Sequence, residues 1–304
     1  MTTQLIRRIL GTCGGLVVLA AFLTACGDNA DSTGQKTPKP TTSADADLAA
    51  LVPEEIASDG KIQVGTDPTY APNEFLDTDG KTVIGMDVEL FDAIAGKLGL
   101  EVEWVPSKFG DIIPGVQSGK YEVGVSSFTI NPERMEQALM IAYFNSPIQW
   151  VTQKGNPQNV DPDNACGKVV SVQADTIEVP DLQERSKKCE AAGKPPITIN
   201  QYPGQDTVTT DVVTGKADAM TADLPIASYA VQQNGVKLEL LGEPYGNAPY
   251  GFVVNTEQRQ FAEAIQKAVQ AIMDDGTYAD ILAKWGNDKG AISPDEVQIN
   301  PTVP

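Results

Sequence analysis

Between residues 121 and 134 the chain passes from strand to helix within a few positions, and this junction restricts the fold more than any other stretch. Residues 121–125 alternate small and apolar side chains, as a strand leaving a buried sheet does. Three hydroxyl residues follow at Ser126, Ser127 and Thr129, then Asn131-Pro132, an N-cap followed by proline at the first helical position. Arg134 is thereby placed in the first turn of a helix, beside hydroxyls at the carboxyl end of a strand. Open α/β sheets bind ligands at such ends. A guanidinium there can clamp a carboxylate with two parallel hydrogen bonds. A surface arginine in a loop is the plainer reading of the segment taken alone.

The same alternation runs along most of the chain. Strands are expected at 62–65, 102–105, 121–126, 168–172, 197–199, 217–221 and 237–241. Helical periodicity links them: over 88–98 Leu90, Phe91, Ile94, Ala95 and Leu98 share a face, and over 111–118 Ile112, Ile113 and Val116 do. This is the order of an α/β fold with largely parallel sheets.

A second segment bears on function. Gly65-Thr66-Asp67-Pro68-Thr69-Tyr70-Ala71-Pro72-Asn73-Glu74-Phe75 follows the first strand, and Ile84-Gly85-Met86-Asp87-Val88-Glu89-Leu90 leads into the first long helix. With the Arg134 segment, and with Asp275-Gly276-Thr277-Tyr278 and Lys284-Trp285 near the end, these resemble family 3 of the bacterial extracellular solute-binding proteins, the polar amino-acid receptors of ABC importers. The likeness spans about residues 61–285. It implies a two-lobed periplasmic-binding-protein-like fold of type II, with two hinge crossings and a ligand cleft between the lobes. Extended stretches at 148–151 and 250–254 are the expected crossings. Lobe 1 is expected at 56–148 and 250–290, lobe 2 at 149–249 and a C-terminal tail at 291–304. Such lobes rotate as rigid bodies about the cleft.

The resemblance carries over position by position. Arg134 matches the residue that holds the ligand α-carboxylate, with Ser126, Ser127 and Thr129 beside it. Thr176, in the strand-to-helix loop of lobe 2, matches a second carboxylate contact, and free N–H groups at a helix start favour that anion. Asp223 matches the acid that pairs with the α-ammonium. Tyr70 and Phe109 match two aromatic walls, core packing being the alternative for each. Asp67 matches an acid at the far end of a polar side chain, or else caps the Pro68 turn. Asp175 is either a second acid near the site or the N-cap of the next helix. Gln205 lies in a loop similar to one in the basic amino-acid receptors. Asn73 stands where an aromatic is usual, and Glu74, Asp77 and Asp79 read as a solvated turn.

The first 26 residues read as an address. Arg7 and Arg8 precede a short apolar run, and Leu23-Thr24-Ala25-Cys26 resembles a lipoprotein signal box. Residues 1–25 are then a signal peptide, Cys26 carries the lipid and 26–55 form a disordered tether. A plain secretory signal cut near Ala25 is the alternative. Two or more acyl chains would anchor the protein stably at the outer face of the cell membrane. Of the four cysteines, Cys166 and Cys189 remain, and two cysteines in an exported chain point to a disulfide. A metal pair is the competing reading, disfavoured by the absence of histidine and of CxxC.

The formal charge is −19, and removing 1–25, with two arginines and no acids, makes it −21. This opposes binding to nucleic acid. No cofactor or metal is expected, and the partners implied are an amino acid, an ABC permease and its ATPase, with the receptor a monomer. Two other functions stand open. One is a sensing receptor with the same cleft. The other is an enzyme like the cyclohexadienyl dehydratases, for which Asp67, Asp175, Asp223 or a tyrosine would have to serve as acid or base.

Overall fold

The computed structural model describes residues 43–303; the expected signal peptide and the acylated Cys26 lie outside them. In chain order the elements are α1 (Ala46–Ala49), α2 (Glu54–Ala57), β1 (Lys61–Thr66), β2 (Thr69–Tyr70), β3 (Glu74–Leu76), β4 (Val83–Ile84), α3 (Met86–Lys97), β5 (Glu101–Pro106), α4 (Phe109–Gln117), β6 (Val123–Thr129), α5 (Pro132–Met135) and β7 (Leu139–Gln153). They continue with β8 (Val169–Gln173), α6 (Glu178–Ala191), β9 (Thr198–Tyr202), α7 (Gln205–Thr214), β10 (Ala219–Asp223), α8 (Leu224–Gln233), β11 (Leu238–Val254), α9 (Arg259–Asp274) and α10 (Thr277–Trp285).

Eight strands form one sheet in the order β5-β1-β6-β11-β7-β10-β8-β9, and β2, β3 and β4 form a small antiparallel sheet. The flanks are parallel: β5, β1 and β6 on one side, β10, β8 and β9 on the other. The two central strands run antiparallel to each other and to their outer neighbours. Each flank has its own apolar interior. The first collects Val64, Leu90, Phe91, Ile112, Val123, Phe252, Phe261 and Ile265. The second has two clusters, one around Trp150, Val172 and Leu182, the other around Val151, Val208, Val212 and Met220. Helix α9 shows why: Phe261, Ala262, Ile265, Ala268, Val269 and Ile272 recur at helical spacing and all are buried.

The crossings differ from the short extended stretches expected at 148–151 and 250–254. Each lies inside one long strand, β7 or β11, which spans both flanks. The expected strand at 237–241 is the first part of β11. Ladder pairing between β7 and β11 runs from Leu238↔Gln153 to Val254↔Leu139, with irregularities between Leu241 and Tyr245, between Tyr245 and Ala248, and between Tyr250 and Gly251. The segment expected as tether is helical at its described end: Asp45 caps α1, and Val52 and Ile56 are buried against the first flank. The tail also packs, with Ile292 and Val297 buried and Ile141 bridged to Ile299. Cys166 and Cys189 form a disulfide, 23 residues apart.

Candidate functional site

One cavity lies where the carboxyl ends of the flanking strands face each other. Tyr70, Phe109, Ser126, Ser127, Thr129 and Arg134 line it from one lobe, and Gln173, Thr176, Ile177, Glu178 and Asp223 from the other. The sequence signals at 126–134 produce their side of it directly. Asn131 Oδ1 accepts from Arg134 N at 2.8 Å, and Pro132 occupies the first turn of α5. The short helix points the guanidinium back over the end of β6. Its Nη1 donates to Thr129 O at 2.8 Å and its Nη2 to Asp175 O, on the other lobe, at 3.1 Å. Phe109 and Phe128 stack with centroids 4.6 Å apart, and Arg134 lies 5.2 and 5.5 Å from those rings. Two carbonyls account for two of the five guanidinium N–H groups, so the fork can still take an anion.

On the opposite wall Asp223 ends β10, and its Oδ2 accepts from Tyr70 Oη at 2.8 Å. Burial, then the nearby charge of Glu178, pushes Asp223 well above the usual carboxylate range. Asp67 makes a second bridge between the lobes: its Oδ2 accepts from Gln173 Nε2 at 2.7 Å and its Oδ1 from Thr69 Oγ1 at 2.9 Å. Burial pushes Asp67 up to about 6 against those bonds.

Beneath Ser126 and Ser127 sits a buried acid pair. Ser126 Oγ donates to Glu74 Oε1 at 3.0 Å. Ser127 Oγ lies 3.0 Å from Asp87 Oδ2 and 3.4 Å from Glu74 Oε2, and accepts from Asn73 Nδ2 at 2.9 Å. Tyr143 Oη also donates to Asp87 Oδ2. Ser127 adopts φ 51°, rare for a side-chain-bearing residue, and its N–H donates to Asp87 Oδ2 at 3.2 Å, which holds that conformation. The pair meets because Gly85, at φ 143°, lets the chain entering α3 press against Asn73 O, where any Cβ would collide. Burial, followed by the Asp87 charge, pushes Glu74 well up; burial pushes Asp87 up to about 6.

Several expectations need correction here. Glu74 is not part of a solvated turn; only Asp77 and Asp79 are exposed. Asn73 is fully buried under Ser127 instead of shaping the pocket edge. Asp175 does not cap α6, whose N-cap is Ile177; it is exposed, at φ 64°, with its carboxylate against Gly110. Gln205 is buried at the start of α7 with its amide 3.7 Å from Met220 Sδ, and it does not line the cavity. The Thr176 hydroxyl lines the wall but donates to Gln173 O at 2.9 Å, so its proton is already engaged. Gln173 and Glu178 line the cavity and were missed. An acid two positions past Thr176, at the start of the helix after β8, was the available signal for Glu178.

The sequence pattern of the bacterial extracellular solute-binding proteins, family 3, matches residues 62–288. The chain belongs to this family. Among its relatives, the arginine-binding protein ArgT of Corynebacterium glutamicum is 36% identical over 300 residues, covering 97% of this chain and 96% of that one. The lysine/arginine/ornithine-binding periplasmic protein of Escherichia coli is 26% identical, covering 74% and 86%. Among solved structures, an ancestral arginine-binding protein bound to arginine superposes with a TM-score of 0.68 at 33% identity, covering 74% of this chain and 98% of that one. An ancestral amino acid-binding protein described as a precursor of cyclohexadienyl dehydratase gives 0.69 at 27%, covering 78% and 99%. This solute-binding protein thus has the two-lobed α/β architecture of the periplasmic amino-acid-binding proteins. Among its described residues no helix is long and apolar enough to cross a membrane.

Proposed function

We propose that the cleft captures a polar L-amino acid, cationic side chains being favoured and amides second, and that its closure presents the ligand to an ABC permease driven by its ATPase. The observation that carries this reading is the placement of Arg134 and Asp223 in one cavity, on opposite lobes. A zwitterion needs one cation for its carboxylate and one anion for its ammonium. Supplying them from opposite walls makes binding and closure a single event. The side-chain preference is assigned to Asp67, which does not line the closed cavity but lies behind Gln173, a lining residue that it holds by a hydrogen bond; burial pushes it up only to about 6, so at neutral pH its carboxylate would repel a dicarboxylate. The aromatic faces of Tyr70 and Phe109 add cation–π attraction of about 0.5–2 kcal/mol. The names of the relatives and the arginine-bound neighbour agree with a cationic ligand; a glutamine-bound neighbour at 32% identity agrees with the amide as second choice.

The closed arrangement leaves about 10 Å³ between these side chains, room for about one water. An amino acid therefore enters by separation of the lobes, with boundaries near residues 148 and 250. Lipid on Cys26 would keep the receptor beside its permease at the outer face of the membrane. Titrating arginine, lysine, histidine, glutamine and glutamate by calorimetry tests the reading. Arginine or lysine should bind tightest, and Asp67→Asn should narrow the gap between arginine and glutamine. Glutamate binding tightest at neutral pH would remove the role given to Asp67.

A catalytic reading has one supporting observation, the structural likeness to the dehydratase precursor. It requires turnover of a cyclohexadienyl acid, which incubation with the purified protein would reveal.

A further inference from the structure

Glu178 is the acid in the cleft that the amino-acid reading leaves without a task. It stands in the first turn of α6, two residues beyond Thr176, and is 2% exposed. Its Oε1 has no hydrogen-bond partner among the described residues. It shares the cavity wall with Tyr70 of β2, Arg134 of α5 and Asp223 of β10, the titratable groups that face it from the other elements. On its own helix Asp181 is already engaged, accepting from Arg185 Nε at 2.9 Å and Tyr245 Oη at 2.8 Å. Arg134 and Glu178 each lie within reach of the other's charge, as do Glu178 and Asp223.

The charges in the closed cleft decide what Glu178 does. One cation, Arg134, faces two carboxylates, Asp223 and Glu178. A bound zwitterion brings one charge of each sign. Its ammonium goes to Asp223 and its carboxylate to Arg134, at the same helix start that carries Glu178. Two carboxylates then converge on one guanidinium inside a water-poor cleft. Like charges so placed cannot both stay ionised cheaply, and one of them takes a proton. Burial already favours the neutral form of Glu178. Opening the cleft would return water to this carboxylate and remove the burial that favours its neutral form.

We propose that Glu178 takes up a proton when the ligand α-carboxylate reaches Arg134, so that amino-acid capture is coupled to protonation of this one side chain. The neutral carboxyl then donates a hydrogen bond to the ligand carboxylate in place of repelling it. The coupling rests on the amino-acid reading of the cleft. Proton linkage gives it a sign: Glu178 holds more protons in the bound form, so its contribution to affinity falls as pH rises, by at most about tenfold per pH unit for one proton. Asp67 and Asp223 act in the opposite direction, because a ligand cation favours their ionised forms.

The test compares wild type with Glu178→Gln, which keeps the shape and cannot ionise. Calorimetric titration with L-arginine and with L-glutamine at neutral pH, in phosphate and in Tris buffers, gives the number of protons exchanged on binding. Asp223 feels the Glu178 charge, so its own titration shifts with the substitution, and the difference between the two proteins reports Glu178 together with its effect on Asp223. The wild type should take up more protons than Glu178→Gln, by a difference approaching about one. The variant should also bind at least as tightly above neutral pH. Equal proton counts in the two proteins would overturn the proposal and leave the amino-acid reading intact. Binding of neither amino acid by the wild type would remove that reading and the coupling with it. Should Glu178→Gln not fold, Glu178→Ala is measured against the same criterion.

Discussion

The phenol of Tyr70 donates a 2.8 Å hydrogen bond to the carboxylate of Asp223 across the cleft, joining the two lobes through residues 153 positions apart. An asparagine at 223 can still accept that bond through its amide oxygen but carries no charge. Asp223→Asn should therefore leave the melting temperature at or above the wild-type value at neutral pH, since burial disfavours the ionised acid. Ligand affinity should fall by about 2–5 kcal/mol, the usual loss when one partner of a buried charge pair is removed. Calorimetry beside a thermal melt checks both halves.

Arg134 combines a charge with a planar shape that lysine lacks. Its guanidinium spans Thr129 O and Asp175 O and lies against two stacked rings. Arg134→Lys should weaken amino-acid binding by about 1.5–3 kcal/mol, the worth of a hydrogen bond to a charged group. Arg134→Ala should cost about 2–5 kcal/mol, with all ligands affected alike. Wild-type affinity in the alanine variant would show that the carboxylate is held elsewhere.

The acid pair under Ser126 and Ser127 predicts a pH profile. Asp87, at about 6, and Glu74, well above the usual range, bind protons more tightly folded than unfolded. Their contribution to stability is therefore present at low pH and lost as pH rises from about 4 through 6 and beyond. A glutamine at 74 can accept from Ser126 and donate to Asp87, replacing the shared proton permanently. Glu74→Gln should raise the melting temperature above pH 7, by roughly 2–4 °C per kcal/mol gained in a domain of this size. The gap from wild type should close as pH falls to 5. A parallel pair of profiles would exclude a shared proton.

The disulfide lies at the far ends of elements whose near ends form the cleft. Cys166 precedes β8 and Cys189 is in the last turn of α6, while Gln173 and Glu178 sit at the opposite ends of those elements. Replacing both cysteines by serine should lower stability by about 3 kcal/mol in the chain-entropy model. Affinity should not change. Denaturant unfolding and a ligand titration on the same variant separate the two effects.

What could be read in the sequence was written locally. Asn131, Pro132 and Arg134 announce a cap, a first turn and a cation within four residues, and the structure places that cation at the mouth of a strand. The alternation of strand and helix gave the α/β class for the same reason. Glu74 was misread because its burial depends on Asp87, Ser126 and Tyr143, which reach it only through packing. The strand expected at 237–241 and the crossing expected at 250–254 are parts of one strand, and the two glycines and two prolines at 242–249 between them give no sign of it; the length of β11 follows only from its pairing with β7. Glu178 is a first-turn acid, a place where negative charge is normally welcome, and nothing local marks it as buried. Its separation from water is a property of the opposite lobe.

Because β7 and β11 are bonded side by side along both lobes, they act as one ribbon. Sliding one strand past the other would break a row of backbone bonds, whereas twisting the ribbon spares them. The irregular pairing around Tyr245 and Ala248 lies where that twist is easiest, since bulged ladders coil more strongly than regular ones. The closure proposed above would then be a rotation with a single angle as its coordinate. Under the proposed closure, two solutes that bring the lobes to the same angle would present the same outer surface.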